Sequence, residues 1–211
     1  MSDTKQKILD TAERLFGEQG FGAVSLRHII AEAGVNLAAI HYHFGSKEEL
    51  LLEVVMRKVQ PVNERRLALL DRAEAEAAPG APPVEKVLEA FLLPPALLAG
   101  QSPDFMKLMG RLHAEGSATA IFLKHFGPMI NRFREAFQKA LPDLPEEELA
   151  WRTHFMIGAM AHMLTGPPER RPATSGEDPC RVAGYLIAFL SGGLRAPALA
   201  PALVAVLKEN Q

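Results

Sequence analysis

The residues best suited to chemistry lie within residues 25–50, and their types suit hydrogen bonding to an anion rather than bond making. This stretch holds small and aromatic side chains at successive positions: Ala38, Ala39, His41, Tyr42 and His43. Imidazole and phenol groups can bond phosphate oxygens, whereas methyl groups suit apolar contacts such as those to the thymine methyl. The run therefore favours contact with a nucleic acid.

Two short predicted helices, separated by a glycine, position these side chains. Ser25 is a typical N-cap, and apolar residues recur at helical spacing over Leu26 to Ala33. Gly34 follows where left-handed dihedral angles are needed, and Asn36 can cap a second helix from Leu37 to about His43. Helix, glycine-containing turn and helix form the helix-turn-helix pattern, whose second helix lies in the DNA major groove.

The outward face of the second helix follows from its rotation about Ile40. With Ile40 pointing inward, Ala38 and Tyr42 point outward and Ala39 and His41 flank them. The N-terminus of the first helix and the backbone amides near Lys47 favour phosphate through the helix dipole. The predicted DNA-contacting residues are Ser25, Arg27, Asn36, Leu37, Ala38, Ala39, His41, Tyr42, His43 and Lys47.

Longer helices flank this unit. An amphipathic stripe predicts a helix from Thr4 to Gln19, which completes a three-helix head. Ser46 and Glu49 match a capping box that opens a long helix continuing to about Ala77, with a kink expected at Pro61. Such a helix is a mechanical connector between the head and the rest of the chain.

The head resembles the TetR family of bacterial transcriptional regulators. The resemblance covers residues 4–53 and rests on Phe16, Gly20, Ser25, Ala33-Gly34-Val35, Ile40-His41-Tyr42-His43-Phe44 and Ser46-Lys47-Glu48-Glu49-Leu50. One position departs from the family pattern, because His41 stands where the family has a phosphate-contacting tyrosine. Two alternatives follow: Tyr42 takes over that contact, or His41 makes a weaker, pH-sensitive one. The stretch 34–47 also resembles the narrower PsrA-like branch, which responds to fatty acids or acyl-CoA thioesters.

The remainder of the chain predicts further helices and no convincing strand. The expected segments are Val84 to Leu98 (broken at Pro94-Pro95), Asp104 to His113, Ser117 to Ala140, Glu146 to Thr165, Arg181 to Leu194 and Ala198 to Lys208. We therefore expect an all-α fold. Residues 1–50 form a helix-turn-helix DNA-binding domain, and a long helix joins it to a helical ligand-binding and dimerisation domain, residues 51–211.

Composition bounds the class of protein. The chain has 211 residues, 48% of them hydrophobic, which is enough for a sizeable core. The polar N-terminus, the lack of a long apolar run and the single cysteine indicate a soluble cytoplasmic protein without a membrane span. Net charge is −2, and acidic residues outnumber basic ones in the head, so phosphates must meet local donors rather than a broad basic field.

The segment from Glu146 carries apolar residues on opposite faces. A helix that is apolar all round is buried all round, either as a central core helix or at a subunit interface. The TetR resemblance implies the interface, since family members dimerise through two late helices in a four-helix bundle. The candidate interface residues are Trp151, Phe155, Gly158, His162, Tyr185 and Phe189.

The second domain, residues 51–211, is called the body below. Its middle part is rich in methionine and phenylalanine, which suit either an adaptable pocket for an apolar ligand or an ordinary core. Nearby basic side chains could bind a carboxylate or phosphate head group. The candidate ligand-binding residues are Phe105, Met106, Met109, Arg111, His113, Phe122, His125 and Phe126. Helical periodicity does not decide which of them face inward.

These patterns favour a homodimeric repressor that binds a palindromic operator on double-stranded DNA and is released by an apolar or amphipathic effector. An enzyme would need acid–base groups such as His113 with Glu115, or His154, but the sequence offers no nucleophile–base pair, metal-ligand spacing or phosphate loop. We therefore expect no enzyme activity, no cofactor and no metal site. The alternative is a helical protein–protein adaptor, which would lack the steep salt dependence of phosphate binding.

Overall fold

A computed structural model describes residues 3–36, 42–115, 119–166 and 178–199, with the side chains of residues 113–124 outside the description. Within those residues the chain forms eight α-helices and no strand, which confirms the all-α prediction. The helices are α1 (Asp3–Gln19), α2 (Leu26–Ala33), α3 (Lys47–Ala77), α4 (Val84–Gln101), α5 (Pro103–Glu115), α6 (Thr119–Ala140), α7 (Glu146–Thr165) and α8 (Pro179–Arg195). None of the helices in this described part is long and apolar enough to cross a membrane.

The N-terminal helices share one core with the start of α3. The stripe predicted on α1 is buried with Ile29 of α2, Phe44, and Leu50 and Val54 of α3. Arg57 of α3 reaches back to α1 and pairs with Asp10 at 2.6 Å and Glu13 at 2.5 Å. These contacts hold α1 against the connector, so the head is one packed unit.

Helix α5 packs into the same core as the head. Phe105, Leu108 and Leu112 of α5 are buried among the residues of α1 and α3. The crossing with α1 is close, since a Cβ atom at Gly17 would lie 3.1 Å from the Asp104 carbonyl oxygen. Glycine at position 17 therefore allows the two backbones to approach, and α5 is in direct mechanical contact with the head.

A second core joins α4, α6, α7 and α8 to the later part of α3. It contains Leu70 of α3, Leu88 and Phe91 of α4, Phe133 of α6 and Met156 of α7, together with one face of α8. The Phe91 and Phe133 rings meet edge to face at 5.0 Å between centroids. This second core lies in the body, and the later part of α3 packs in it.

The expected break at Pro94-Pro95 is wrong, because α4 continues from Val84 to Gln101 through both prolines. Pro95 has no N–H and so leaves the Phe91 carbonyl, four residues earlier, without its helical donor. Arg66 supplies a substitute, since its Nε donates to the Phe91 carbonyl at 2.8 Å. A side chain from α3 therefore satisfies the acceptor that the proline releases.

Arg66 is an unusual member of this core, since its side chain is buried with a charge. Nη1 donates to Asn63 at 3.1 Å, Nη2 lies 3.4 Å from the Met160 sulfur, and the guanidinium stacks 4.2 Å from the Phe91 ring centroid. Desolvation lowers the pKa of Arg66 to about 10. The guanidinium thus links α3, α4 and α7 through a carbonyl, an amide, a thioether and a ring.

Helix α7 is buried on one face only. Leu149 and Met156 lie in the body core, whereas the opposite face is open, with Trp151 57% exposed and Phe155 also exposed. The alternative of a central core helix is therefore wrong for the single chain. The second apolar face of α7 lies on the surface of the subunit.

Candidate nucleic-acid interface

Local capping places the first helix of the candidate interface as the sequence predicts. Ser25 has extended backbone angles and its Oγ accepts a hydrogen bond from the His28 N–H at 3.1 Å. Gly34 takes φ 64° at the other end, with its N–H directed to the Ala31 carbonyl. Ser25 and Arg27 are both exposed at the start of α2, where the helix dipole favours an anion.

The second helix of the pattern is described only at its C-terminal end. Leu37, Ala38, Ala39 and His41 lie outside the described residues. Asn36 precedes them and is exposed. The proposed base-reading positions therefore remain sequence-based predictions, and the structure reports on the phosphate-binding candidates around them.

The end of that helix presents its aromatic side chains as the rotation argument predicts. Tyr42 is 84% exposed, while Phe44 is buried in the head core and His43 is half-buried. The His43 ring lies between them, 5.0 Å from the Tyr42 ring and 6.0 Å from the Phe44 ring. Phe44 thus anchors the helix end and leaves the Tyr42 hydroxyl able to reach outward.

The start of α3 forms a second candidate phosphate site. Ser46 and Glu49 make the predicted capping box, with Ser46 Oγ accepting the Glu49 N–H and the Glu49 carboxylate accepting the Ser46 N–H, both at 3.1 Å. The N–H groups of Lys47 and Glu48 point out of the helix end, where a helix has no internal acceptors. The Lys47 ammonium rests 4.4 Å from the Phe21 ring centroid, beside these amides.

Six acidic residues of the head have ion-pair or hydrogen-bond partners in the described structure. Five of them form ion pairs: Asp3 with Lys7, Asp10 and Glu13 with Arg57, and Glu18 and Glu32 with Arg14. A sixth, Glu49, is held in the capping box. The net acidic composition is therefore compatible with phosphate contact, because these carboxylates already have cationic or N–H partners.

The apolar candidate ligand-binding residues that the structure describes all lie in or against the head core. Phe105 is buried in the head core, Met106 and Met109 pack against that core, and Phe126 packs against both cores. His125 is exposed. The side chains of His113 and Phe122 lie outside the described residues.

Arg111, a candidate for an anionic head group, binds the head instead. Its Nε donates to the Gly17 carbonyl at 2.8 Å and its Nη2 donates to the Glu18 carbonyl at 2.7 Å. These carbonyls belong to the last turn of α1, which has no internal donors for them. Arg111 therefore caps α1 with a cation from α5, where the helix dipole also favours positive charge.

The candidate dimer residues lie on the surface of two neighbouring helices. Trp151 and Phe155 lie 5.9 Å apart between ring centroids on α7, and Tyr185 and Phe189 are exposed on α8, Phe189 by 74%. Gly158 and His162 are exposed further along α7. Large exposed aromatic side chains on adjacent helices mark an interaction surface.

Sequence reasoning missed the roles of Arg66 and Arg152. Pro95 is a signal for an unpaired carbonyl at position 91, but helical periodicity does not identify the donor, which comes from 25 residues away. Arg152 of α7 binds the carbonyls of Gly193 and Leu194 at the end of α8, each at 2.9 Å. No local motif announces such a contact across 41 residues.

Comparison with known protein families matches both parts of the chain. Residues 8–54 match the family described as bacterial regulatory proteins, tetR family, and residues 89–193 match the tetracyclin repressor-like C-terminal domain. The transcriptional regulator AcrR of Shigella flexneri is 46% identical over 52 residues, which span 25% of this chain and 24% of AcrR. The chain thus matches about a quarter of that relative's length, in the head.

Solved structures match the fold over nearly the whole chain. A TetR-like transcriptional regulator from Rhodococcus sp. RHA1 superposes with a TM-score of 0.62 at 18% identity, covering 92% of this chain and 97% of that one. The fatty acid degradation regulator FadR of Bacillus halodurans superposes with a TM-score of 0.61 at 16% identity, covering 92% of this chain and 98% of FadR. Taken with the capped helix pair and the two family matches, this likeness leads to one assignment: the chain belongs to the TetR family of DNA-binding transcriptional regulators, which are not enzymes.

Proposed function

We propose that the protein is a cytoplasmic repressor that binds a palindromic operator as a homodimer and releases it when an apolar or amphipathic effector binds. Residues 1–50 make the DNA contacts, and residues 51–211 hold the effector and the second subunit. The observation that supports the DNA-binding half is the exposed Tyr42 together with the capped start of α3 at Ser46 and Lys47, which we propose bind phosphates.

The DNA-binding surface is built from caps and dipoles. The N-termini of α2 and α3 each direct backbone N–H groups outward, and Arg27 and Lys47 add a cation to each. The intervening stretch of sequence, Leu37 to His41, lies outside the described residues, and we propose that its small side chains read the major groove. Tyr42 takes the phosphate contact that the family pattern gives to the preceding position, now His41.

Dimerisation follows from the aromatic face of α7 and α8. Trp151, Phe155, Tyr185 and Phe189 would be buried if a second copy packed the same two helices against it. A two-fold dimer then sets two heads about one DNA turn apart, roughly 34–36 Å, and so requires a palindromic site.

The effector acts by changing the distance between the two heads. Helix α3 runs unbroken from the head through Pro61 into the body, and Arg111 joins α5 to the end of α1. A ligand that repacks the body therefore moves the head by two routes. Fatty acids are the first probes, because the structurally similar FadR is named for fatty acid degradation and the head resembles the PsrA-like branch.

The test measures binding of the purified protein to the DNA upstream of its own gene over a salt series. We expect a retarded band whose affinity falls steeply with salt. Lys47→Ala should lower the slope of log K against log salt by about 2, because each of the two subunits loses one phosphate contact, whereas Lys139→Ala in the body should leave it unchanged. A folded dimer that shows no shift at low salt, or an affinity indifferent to salt, would favour the adaptor alternative.

The effector half needs its own measurement. Dodecanoate added to the preformed complex should release the DNA and raise the melting temperature of the free protein, because it binds only the released state. Release without a change in free-protein stability would mean that dodecanoate does not bind the folded free protein, and would contradict an effector site in the body.

A further inference from the structure

We infer that residues 200–211 dock back onto the subunit that carries them, in a groove between the start of α7 and the segment after α8. The groove encloses about 530 Å³. Its walls are Pro145, Glu147, Glu148, Trp151, Arg152, Phe155 and Leu199. Trp151 and Phe155 contribute two large exposed rings to the groove, and exposed apolar surface of this kind favours contact with another apolar surface.

Hydrogen bonds from Arg152 hold the backbone after α8 beside this groove. Beyond the carbonyls of Gly193 and Leu194, its guanidinium binds those of Ala196 at 2.7 Å and Pro197 at 2.8 Å. Arg152 is itself paired with Glu148 one turn earlier on α7. The backbone after α8 is therefore held against α7 rather than released into solvent.

Glu148 fixes the last described residue. Its two carboxylate oxygens accept the Leu199 N–H at 3.1 and 3.0 Å. The Leu199 N–H, and then Arg152, lower the pKa of Glu148, so the carboxylate is charged at neutral pH. Since Leu199 lines the groove, the described part of the chain ends at the groove.

The composition of the following segment suits this site. Eight consecutive uncharged residues come first: Ala200, Pro201, Ala202, Leu203, Val204, Ala205, Val206 and Leu207. The charged and amide residues Lys208 to Gln211 come after them. An apolar segment tethered at the edge of an apolar groove has a high effective concentration there, and burial of both surfaces drives the docking.

This docking divides the aromatic surface of α7 and α8. The tail covers the groove side of Trp151 and Phe155, whereas Tyr185 and Phe189 do not line the groove and remain for a second copy. Only this division rests on the proposed homodimer. The docking itself is a contact within one subunit and holds for a monomer as well.

The chain contains a single tryptophan, Trp151, so its fluorescence reports on this groove alone. The test compares the full chain with a version ending at Leu199 and a control ending at Lys208, which keeps the apolar run. All three are made with Phe189 retained and again with Phe189→Arg, and the oligomeric state of each protein is measured by sedimentation. We expect a red-shifted emission and stronger acrylamide quenching only in the version ending at Leu199.

Each outcome decides the inference. Equal emission and quenching in all three versions would overturn docking within the subunit. If the tail effect appears only in the Phe189 protein, at concentrations where that protein is dimeric, the groove belongs to the partner's tail and the inference is again overturned. If Phe189→Arg stays dimeric, the proposed dimer surface fails, and the three versions are then compared after dilution to the monomer, where loss of the tail effect overturns the inference.

Discussion

Arg66 and Pro95 should be coupled energetically, although they are not adjacent in sequence. Pro95 leaves the Phe91 carbonyl without a helical donor, and Arg66 donates to that carbonyl at 2.8 Å. Pro95→Ala restores the helical N–H. Arg66→Met removes the side-chain donor while filling a similar volume. We expect Arg66→Met to be more costly when Pro95 is present than when alanine replaces it.

The size of the effect follows from opposing terms at the buried guanidinium. Loss of a charged hydrogen bond costs about 1.5–3 kcal/mol, and the ring contact adds about 1–2 kcal/mol. Against this, the pKa of Arg66 is lowered to about 10, a depression that corresponds to about 3 kcal/mol of desolvation relieved by methionine. Arg66→Met alone should therefore lower the free energy of unfolding by no more than about 2 kcal/mol. The cost of Arg66→Met should be about 1–2 kcal/mol larger with Pro95 than with alanine at position 95. This difference is the free energy of leaving the Phe91 carbonyl without a donor.

The assay is urea unfolding followed by far-UV circular dichroism at one fixed protein concentration, on both single variants and the double variant. Arg65→Met is the matched control, because Arg65 is the exposed neighbour on the same helix. Its coupling to Pro95→Ala should stay within about 0.5 kcal/mol. If Arg66→Met changes the free energy of unfolding equally with and without the Pro95→Ala substitution, the Arg66 donor does not compensate for the proline and the reasoning fails.

Three further predictions concern the head and the groove. Arg111→Met should lower the free energy of unfolding by about 1–3 kcal/mol, because two carbonyls of α1 lose a charged donor, while exposed Lys107→Met should change it by less than about 0.5 kcal/mol. Ser46→Ala should cost about 1 kcal/mol in the same urea assay and weaken operator binding in a gel shift. Acidification through the lowered pKa of Glu148 should protonate its carboxylate and release the Leu199 N–H. The emission of the neighbouring tryptophan should therefore change in an acid titration of the natural chain but not of Glu148→Gln.

The local signals in the sequence were reliable wherever one turn of helix decides the structure. Ser25, Gly34 and the Ser46–Glu49 box each act through hydrogen bonds to residues within four positions, and each has the predicted geometry. The outward Tyr42 and buried Phe44 follow from helical rotation alone. Short-range patterns therefore sufficed for the frame of the candidate DNA-binding site.

Long-range contacts were out of reach for the same reasoning. The prolines at positions 94 and 95 predict a break in the helix. The sequence does not show that Arg66 lies near enough to donate a hydrogen bond to the Phe91 carbonyl. Arg111 was predicted to contact a ligand, because helical periodicity places it on α5 but does not show which helix α5 packs against. Both cases involve a cation whose partner is a backbone carbonyl, and the sequence does not show which side chain lies close enough to donate to that carbonyl.

The position of α5 changes how a signal from the body can reach the DNA. If α3 were the only connection between the head and the body, bending of α3 at Pro61 would move the head as a rigid unit. But Phe105 and Leu108 of α5 are buried in the head core, and Arg111 caps α1. Any tilt of the head at Pro61 must therefore shear α5 against α1 at the close Gly17 crossing, or move α5 with the head. Packed surfaces resist gradual deformation, so we expect the head to move between discrete positions rather than to swing continuously.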